Sequence, residues 1–270
     1  MATAKWLGTA SLELEHNGQI LLIDPHISRP NKWQTFTAPL APHKEKIDRY
    51  LAGLDGEVVG IIVTHAHSDH LSDVPYLAQK LGVPVWGNES VDTTLKAYGL
   101  PPCPEVLAHG NRLAIGPFTV EAVKTRHGRV ALGKVPFPGT ISPEAEAPFR
   151  VWQFKHGDPP LLAFITAGGQ TILHMGTANM IDNLLPHRRV SSAWLCASGY
   201  QYTPEFAKRI MHKIKPKTVL PFHFEDFSLP LSETTRLIPG ADPHTFGSKI
   251  LAAAPGVEIR IPKPYEKIPF

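Results

Sequence analysis

The hydrophobic pattern of the first sixty residues predicts β-strands. Residues 11–15 alternate polar and apolar side chains, and residues 20–23 are continuously apolar. The Asn17-Gly18 pair between them is a turn sequence that two-residue hairpin loops favour. Residues 58–64 then form an unbroken apolar run rich in β-branched side chains, which is typical of a strand covered on both faces.

Strand-like and helix-like patterns alternate through the rest of the chain. Helices are predicted over residues 46–54, 71–81, 90–98, 204–214 and 245–253. Further strands are predicted over residues 83–87, 105–108, 112–115, 117–125, 161–165, 171–175, 192–197, 218–220 and 257–261. Interleaved strands and helices predict an α/β layered fold, and because no clear linker divides them we expect one domain over residues 1–270.

Two long segments interrupt these patterns. Residues 26–45 are proline-rich and are predicted to be an irregular loop. Residues 128–160 are predicted to be a lid-like insertion rather than a separate domain. Because long loops in compact domains are usually functional or disordered, we expect these two to shape a partly apolar, covered substrate pocket. The aromatic residues expected to line it are Trp33, Phe36, Phe137 and Trp152.

The composition argues against several classes of function. Of the 270 residues 43% are hydrophobic and 19% charged, and the net charge is +3 with no block of lysine and arginine. Because nucleic-acid-binding proteins usually concentrate positive charge on one surface, no nucleic-acid partner is expected. No segment approaches the roughly 20 apolar residues that span a bilayer, and residues 1–6 resemble no secretory signal. With only two cysteines, Cys103 and Cys196, these features predict a cytoplasmic protein without a membrane span.

Several potential metal ligands lie together at the end of the buried strand. They are His65, His67, Asp69 and His70. A strand end holds the backbone rigidly, and the turn into the following helix lets alternate side chains converge. The side chains are placed to face two neighbouring points about 3.5–4 Å apart, the spacing of two-metal hydrolytic sites. The pattern therefore predicts a metal centre rather than a polar loop.

The motif His65-x-His67-x-Asp69-His70, after residues 61–64, resembles the signature of the metallo-β-lactamase-fold superfamily. Residues 6–11 and 22–25 are similar to the family's opening strands. The branch most similar to this chain contains ascorbate-phosphate lactonase-like and phospholipase-D-like members. The resemblance extends over nearly the whole chain and implies an αββα sandwich with metals at the edge of its sheets.

The resemblance also implies which residues bind metal. His65, His67 and His127 would form a first site, whose fourth position is left to water as a catalytic zinc requires. Asp69, His70 and His223 would form a second site. Asp69 would in addition orient the attacking water and accept its proton. The expected cofactor is one or two zinc ions, with manganese or iron as alternatives.

The chain departs from the family pattern at Thr177. The family places an aspartate that bridges both metals after a strand resembling residues 174–176. A neutral hydroxyl supplies no bridging charge, so both sites lose an anionic ligand and the second is affected most. Three outcomes stay open: a single metal, a weakly bound second metal, or another carboxylate in the bridging role. The nearest candidate for that role is Asp182.

Asp24 and His174 are the remaining candidates near the metals. Asp24 ends a strand, where it would either orient a ligating histidine or form a structural turn. His174 would lie either beside the ligands or in the core. Further histidines, including His26 and His156, are interpreted as surface or packing residues.

The leading hypothesis is a metal-dependent hydrolase that acts on a small-molecule ester, lactone, amide or phosphoester. Arg126, Arg129 and Lys134 flank the expected site and are candidates for holding an anionic substrate, although solvated loop positions fit them better. One alternative is a mononuclear iron oxygenase or other redox enzyme, because a weakened second site suits single-iron chemistry. The other is a degenerate, non-catalytic metal-binding member. Members of the superfamily often form homo-oligomers, so the sequence leaves open whether this chain does the same.

Overall fold

The computed structural model describes residues 1–270, the side chain of Ala131 excepted. The strands in chain order are β1 (Thr3–Trp6), β2 (Leu12–His16), β3 (Gln19–Ile23), β4 (Glu57–Ile62), β5 (Val85–Trp86), β6 (Arg112–Ile115), β7 (Phe118–Lys124), β8 (Leu161–Ala167), β9 (Gln170–Met175), β10 (Arg188–Cys196), β11 (Ile214–Phe222), β12 (Glu258–Ile259) and β13 (Lys267–Pro269). The helices are α1 (Lys32–Thr37), α2 (Lys44–Ala52), α3 (Ser68–Leu71), α4 (Val74–Leu81), α5 (Glu89–Ala97), α6 (Phe206–Lys213) and α7 (Pro243–Ala253).

The strands form two mixed sheets. The first has the order β13-β1-β2-β3-β4-β5, and the second has the order β12-β11-β10-β9-β8-β7-β6. In the first sheet β3, β4 and β5 run parallel, and the other neighbours are antiparallel. In the second sheet β9 to β12 run parallel, whereas β6 to β9 pair antiparallel.

Alternate side chains of the central strands enter two different cores. Leu21 and Ile23 of β3 point into the core between the sheets. Ile20 and Leu22 of the same strand pack under α2, α4 and α5 on the outer face. The helices α6 and α7 cover the second sheet by packing against β11. The predicted αββα arrangement is therefore confirmed, because each sheet is buried on one face by its partner and on the other by helices.

The predicted β2–β3 hairpin forms as expected. Asn17 and Gly18 adopt φ values of 53° and 74°, and His16 pairs with Gln19 across the turn. Positive φ at both central residues is the requirement of the tight hairpin turn that matches strand twist. This turn fixes the register that brings the end of β3 beside the end of β4, where Ile23 pairs with Ile62.

Several boundaries differ from the sequence prediction. The segment 26–45 is not wholly irregular, because it contains α1 and the first turn of α2. The helix predicted over 71–81 begins at Ser68 and is interrupted at residues 72–73, between α3 and α4. Residues 105–108 form no strand, and β13 was not predicted.

The insertion 128–160 contains two short 3₁₀ turns, Ala131–Gly133 and Val151–Gln153, and is otherwise without regular structure. Both cysteines are buried and unpaired. In the part of the chain that the structure describes, no helix is long and apolar enough to cross a membrane.

Candidate metal centre

The candidate site lies where strand ends of the two sheets meet. Asp24 follows β3, and His65 follows β4 after two residues. In the second sheet His127, Thr177 and His223 follow β7, β9 and β11. These strands share one direction within their sheets, so their carboxyl ends come to the same edge. Ligand sites of α/β folds are usually built at such ends.

The first triad consists of His65, His67 and His127. One ligand nitrogen from each ring lies within 4.8 Å of the others. The ring centroids are 4.9 Å apart for His65 and His67, 4.9 Å for His65 and His127, and 4.5 Å for His67 and His127. The structure thus brings His127 from the second sheet against two histidines separated from it by some sixty residues of chain.

The second triad consists of Asp69, His70 and His223, whose ligand atoms also lie within 4.8 Å of one another. Oδ2 of Asp69 is 3.1 Å from Nε2 of His223 and 3.6 Å from Nε2 of His70. The rings of His65 and His70 are 3.8 Å apart between centroids, so the two triads are direct neighbours. The structure therefore brings together the same two groups of residues that the family resemblance implied.

The hydrogen bonds of the histidines leave one nitrogen of several rings free to bind a metal. Nε2 of His67 lies 3.0 Å from the carbonyl oxygen of Pro136, and Nδ1 of His127 lies 2.7 Å from that of Gly128. Nδ1 of His70 lies 2.9 Å from Oδ2 of Asp24. Each of these nitrogens is placed to donate its N–H, which leaves the opposite nitrogen as an acceptor.

Two of the free nitrogens are buried. Nε2 of His65 and Nε2 of His70 have no hydrogen-bond partner among the described residues. Leaving a buried polar atom without a partner costs about 1–3 kcal/mol, so such atoms in a cluster require an explanation. Coordination of a metal supplies one. The donor set, five imidazoles and one carboxylate, is the set that zinc, iron and manganese sites use.

Burial keeps the first triad neutral. It lowers the pKa of His67 to about 4 and the pKa of His65 well below the ordinary histidine value. The pKa of His127 is lowered well below that value by burial and by the neighbouring His67. Neutral imidazole is the form that binds metal, so these three rings are ready to do so at neutral pH without losing protons.

In the second triad the surroundings favour the charged forms of Asp69 and His70. Burial alone would raise the pKa of Asp69, but His70 and His223 beside it hold that pKa well below the usual range. Burial alone would lower the pKa of His70, but the carboxylates of Asp24 and Asp69 raise it. Asp69 is therefore ionised at neutral pH, and it is the only carboxylate among the six triad residues.

Asp24 joins the ends of β3 and β4 beneath the site. Its Oδ1 accepts the backbone N–H of Thr64 at 2.6 Å, and its Oδ2 accepts the Thr64 hydroxyl at 2.6 Å and faces His70. The residue is fully buried and holds a left-handed backbone with φ 47°. His223 shares this conformation with φ 56°. Strained backbone of this kind is concentrated at functional sites, where surrounding structure enforces it.

Thr177 occupies the cavity wall beside both triads and supplies no charge. Its hydroxyl oxygen accepts the backbone N–H of Gly128 at 2.7 Å. The structure does not bring Asp182 to the triads, because its carboxylate makes two hydrogen bonds to the guanidinium of Arg209. His174 lies under the site, where its Nε2 donates to the carbonyl of Ala10 at 2.7 Å. Its ring is fully buried and lies 3.9 Å from Oδ2 of Asp24.

A cavity of about 300 Å³ opens over the two triads. Apart from the triads its wall is mostly apolar, with Phe36, Val130, Phe137, Val151, Phe227 and Ile238. Trp33 and Trp152, which were also expected to line it, do not; Trp33 is 76% exposed on α1. Arg126, Arg129 and Lys134 are not part of the wall either. A larger depression of about 530 Å³ lies elsewhere, beside the chain termini and β11, and contains no triad residue.

Sequence reasoning missed two histidines beside the site. His26 is buried with both ring nitrogens lacking a partner among the described residues, and its ring lies 6.3 Å from that of Phe227. His156 stacks on His127, with ring centroids 5.8 Å apart and an interplanar angle of 14°. His26 lies three residues after the end of β3, at the edge where the ligands gather, and this position is the sequence signal that indicates it. His156 comes from the irregular insertion, and nothing in the sequence around it indicates this contact.

Known proteins resemble the chain in both sequence and fold. The sequence profile of the beta-lactamase superfamily domain matches residues 3–223. A UPF0173 metal-dependent hydrolase from Cupriavidus necator is 26% identical over 284 residues, which cover 100% of this chain and 86% of that protein. The metallo hydrolase Igni18 from Ignicoccus hospitalis superposes over 100% of this chain and 98% of its own, with a TM-score of 0.63 and 18% identity. The diiron β-hydroxylase CmlA from Streptomyces venezuelae covers 100% of this chain with 54% of its own length, at a TM-score of 0.63 and 13% identity.

The chain belongs to the beta-lactamase superfamily, because the profile covers most of its length, and its fold is the metallo-β-lactamase fold. The predicted enzyme class, a metal-dependent hydrolase, is confirmed, because the similar curated proteins are metal-dependent hydrolases. The two structural likenesses show the fold alone.

Proposed function

We propose that this chain hydrolyses an ester, lactone or phosphoester bond of a small molecule, with zinc held by the two triads. The observation that carries the proposal is the convergence of His65, His67 and His127 from two sheets, next to the ionised Asp69. Manganese and iron fit the same donors. The lactonase-like and phospholipase-D-like branch, which the opening strands resemble, is the finer assignment that we favour within the superfamily.

The first triad is suited to hold the catalytic ion. Three neutral imidazoles leave a fourth coordination position free, which is the arrangement of catalytic rather than structural zinc sites. A divalent ion bound there lowers the pKa of water towards about 7 and polarises the bond to be broken. The hydrogen bonds of His67 to Pro136 and of His127 to Gly128 hold the ring orientations that this requires.

Asp69 is placed to handle the proton. Because its pKa is held low, the carboxylate is available to accept a hydrogen bond from the attacking water and to orient it. In ester hydrolysis the oxygen of water bonds to the acyl carbon, and the bond from that carbon to the leaving oxygen breaks with its electron pair passing to the leaving oxygen. One proton of the water passes through Asp69 to the leaving oxygen. The other leaves the acid product at neutral pH.

A comparison of metal-free and metal-loaded protein tests the proposal. The protein is stripped with chelator, reloaded with zinc, manganese or iron(II), and assayed on 4-nitrophenyl acetate, γ-butyrolactone and 4-nitrophenyl phosphate. We expect turnover of at least one substrate only after reloading, and its loss in His127→Ala. The exposed His244→Ala, on α7, is the matched control and should keep full activity. No turnover by any loaded form, or equal turnover by His127→Ala, would contradict the proposal.

A mononuclear iron redox enzyme is the second candidate, and Thr177 is the observation that favours it. With no bridging carboxylate, the second triad keeps only one anionic ligand, Asp69. A single metal then suffices at the first triad. If freshly purified protein contains one iron per chain and shows no hydrolysis after zinc loading, this candidate replaces hydrolysis.

A further inference from the structure

The wall of the cavity over the triads indicates which kind of substrate the site accepts. The triads receive the bond to be broken, whereas the wall contacts the rest of the molecule. Beyond the triads the wall contains no lysine, arginine, aspartate or glutamate among the described residues. Its polar members are hydroxyl and thiol groups: Thr35, Ser68, Thr177, Cys196 and Ser198.

The buried arginine on the segment that carries α1 is already paired. Arg29, on the segment that carries α1, is buried against Glu225, with Nη1 to Oε1 at 2.9 Å. It also donates to the carbonyl oxygens of Leu229 and Asp226. A charged group on the part of the substrate that lies against this wall would therefore lose its hydration without gaining a wall partner of opposite charge. Such uncompensated burial is strongly unfavourable.

The apolar surface continues from the cavity to the outside along α1. Phe36 lines the cavity and is 62% exposed, and Trp33 lies one turn earlier on the same helix. The helix α1 has no buried residue, so these two aromatic side chains are not required for packing of the core. Trp152, which follows the wall residue Val151, is 46% exposed on the opposite segment. Exposed apolar side chains grouped at the mouth of a pocket mark a binding surface.

We infer that the substrate of this site carries an uncharged apolar chain on the bond to be broken, as in an alkyl carboxylic ester or lactone, and that the chain lies against Phe36. This inference rests on the proposed hydrolytic function and narrows it by excluding substrates that carry a charged group beyond the bond to be broken. Each methylene buried against the wall contributes about 0.8 kcal/mol, which is about fourfold in kcat/KM. The cavity volume of about 300 Å³ limits the gain to short and medium chains.

Two substrates with the same leaving group isolate the effect of a charge on the chain. The zinc-loaded protein is assayed on 4-nitrophenyl hexanoate and on the 4-nitrophenyl monoester of adipic acid. Their acyl chains are equal in length and differ by one terminal carboxylate, which is too distant to attack its own ester readily. We expect kcat/KM for hexanoate to exceed that for the adipate monoester by at least about tenfold. Extending acetate to butyrate and hexanoate should raise kcat/KM by about fourfold per methylene until the cavity is filled.

A variant of the wall tests the position of the chain. Phe36→Ser should reduce the gain per methylene, and because Phe36 is 62% exposed the fold should be unaffected. Leu251→Ser, an apolar-to-polar change at a 40% exposed position on α7, should leave the gain unchanged. Binding without turnover is measured by calorimetric titration of the metal-free protein. Hexanamide should bind with a negative heat-capacity change that Phe36→Ser diminishes, and succinamate should not bind.

The outcomes separate the inference from the proposed function. Hydrolysis of the adipate monoester as efficient as that of hexanoate would overturn the uncharged, apolar chain and leave metal-dependent hydrolysis standing. An unchanged chain-length gain in Phe36→Ser would overturn the assigned position of the chain. If the loaded protein hydrolyses neither these two esters nor the three substrates named under the proposed function above the metal-free level, the proposed function fails and this inference fails with it.

Discussion

Replacing Asp24 with asparagine tests how the site is held together. Oδ1 of Asp24 accepts a hydrogen bond from the backbone N–H of Thr64. Oδ2 accepts a hydrogen bond from the Thr64 hydroxyl and also lies against Nδ1 of His70. Asparagine has the same shape and keeps a carbonyl oxygen for the N–H of Thr64. In place of Oδ2 it presents an NH₂ group, which cannot accept from either the hydroxyl or the imidazole.

The expected loss follows from these contacts. Two buried donors lose their acceptor, and a hydrogen bond to a charged group contributes about 1.5–3 kcal/mol. Because the Thr64 hydroxyl can rotate, we expect the free energy of unfolding of the metal-free protein to fall by about 2–4 kcal/mol. His70 also loses the partner that fixes its ring. Loss of such a partner typically weakens metal affinity by about 10- to 100-fold.

Both quantities can be measured on one preparation. Urea unfolding of the metal-free protein gives the stability, and competition with a chromophoric chelator gives the zinc affinity. Asp182→Asn is the matched control, since Asp182 pairs with Arg209 at the surface and its loss should change stability by less than about 1 kcal/mol. If Asp24→Asn binds its second zinc, the one assigned to the triad of His70, as tightly as the native chain does, then Asp24 does not orient His70.

Three further predictions concern charge and protons. Asp69→Asn should lower kcat by at least about a hundredfold with an unchanged circular dichroism spectrum, and full activity would exclude Asp69 from proton transfer. Thr177→Asp should tighten binding of a second zinc by at least about tenfold in chelator competition, whereas Thr177→Ser should not; equal affinities would show that position 177 does not face both metals. Burial lowers the pKa of His67 to about 4, below the unfolded value near 6.5, so the unfolded state takes up the proton first as pH falls. Stability is therefore fully present above about pH 6.5 and is lost towards pH 4, with about 2 kcal/mol from this residue between pH 7 and 5. Urea unfolding of metal-free protein should show that loss, and His67→Gln should show a correspondingly shallower pH dependence.

The parts of the fold that were predictable from sequence are those set by local pattern. The β-branched run of β4 and the Asn17-Gly18 turn specify their structure over a few residues. The ligands His65 to His70 follow β4 directly, so their clustering is also local. That His127 and His223 belong to the site was implied only by the family resemblance, because they follow strands far from His65 in the sequence.

The differences between the predicted and the observed helices and strands have identifiable causes. The helix predicted over 71–81 is broken because Asp73 accepts the backbone N–H groups of Ile27 and Ser28 at 2.6 and 2.7 Å, contacts that depend on the folded loop. The helix α1 did have a local signal. Asn31 and Gln34 form a capping box, with reciprocal side-chain hydrogen bonds at the helix start. The strand β13 is short and exists through pairing with β1, which no local pattern indicates.

The most direct test of the metal centre is the anomalous scattering of crystals of the protein, purified without added metal and measured at the absorption edge of the metal it contains. We expect a peak about 2.0–2.1 Å from one nitrogen each of His65, His67 and His127. A second, weaker peak beside Asp69 and His70 would show that Thr177 reduces occupancy of the second triad without abolishing it. Absence of any peak at the first triad in a crystal grown with zinc would show that these three histidines do not bind metal, and the buried, unpartnered Nε2 of His65 would then have no explanation.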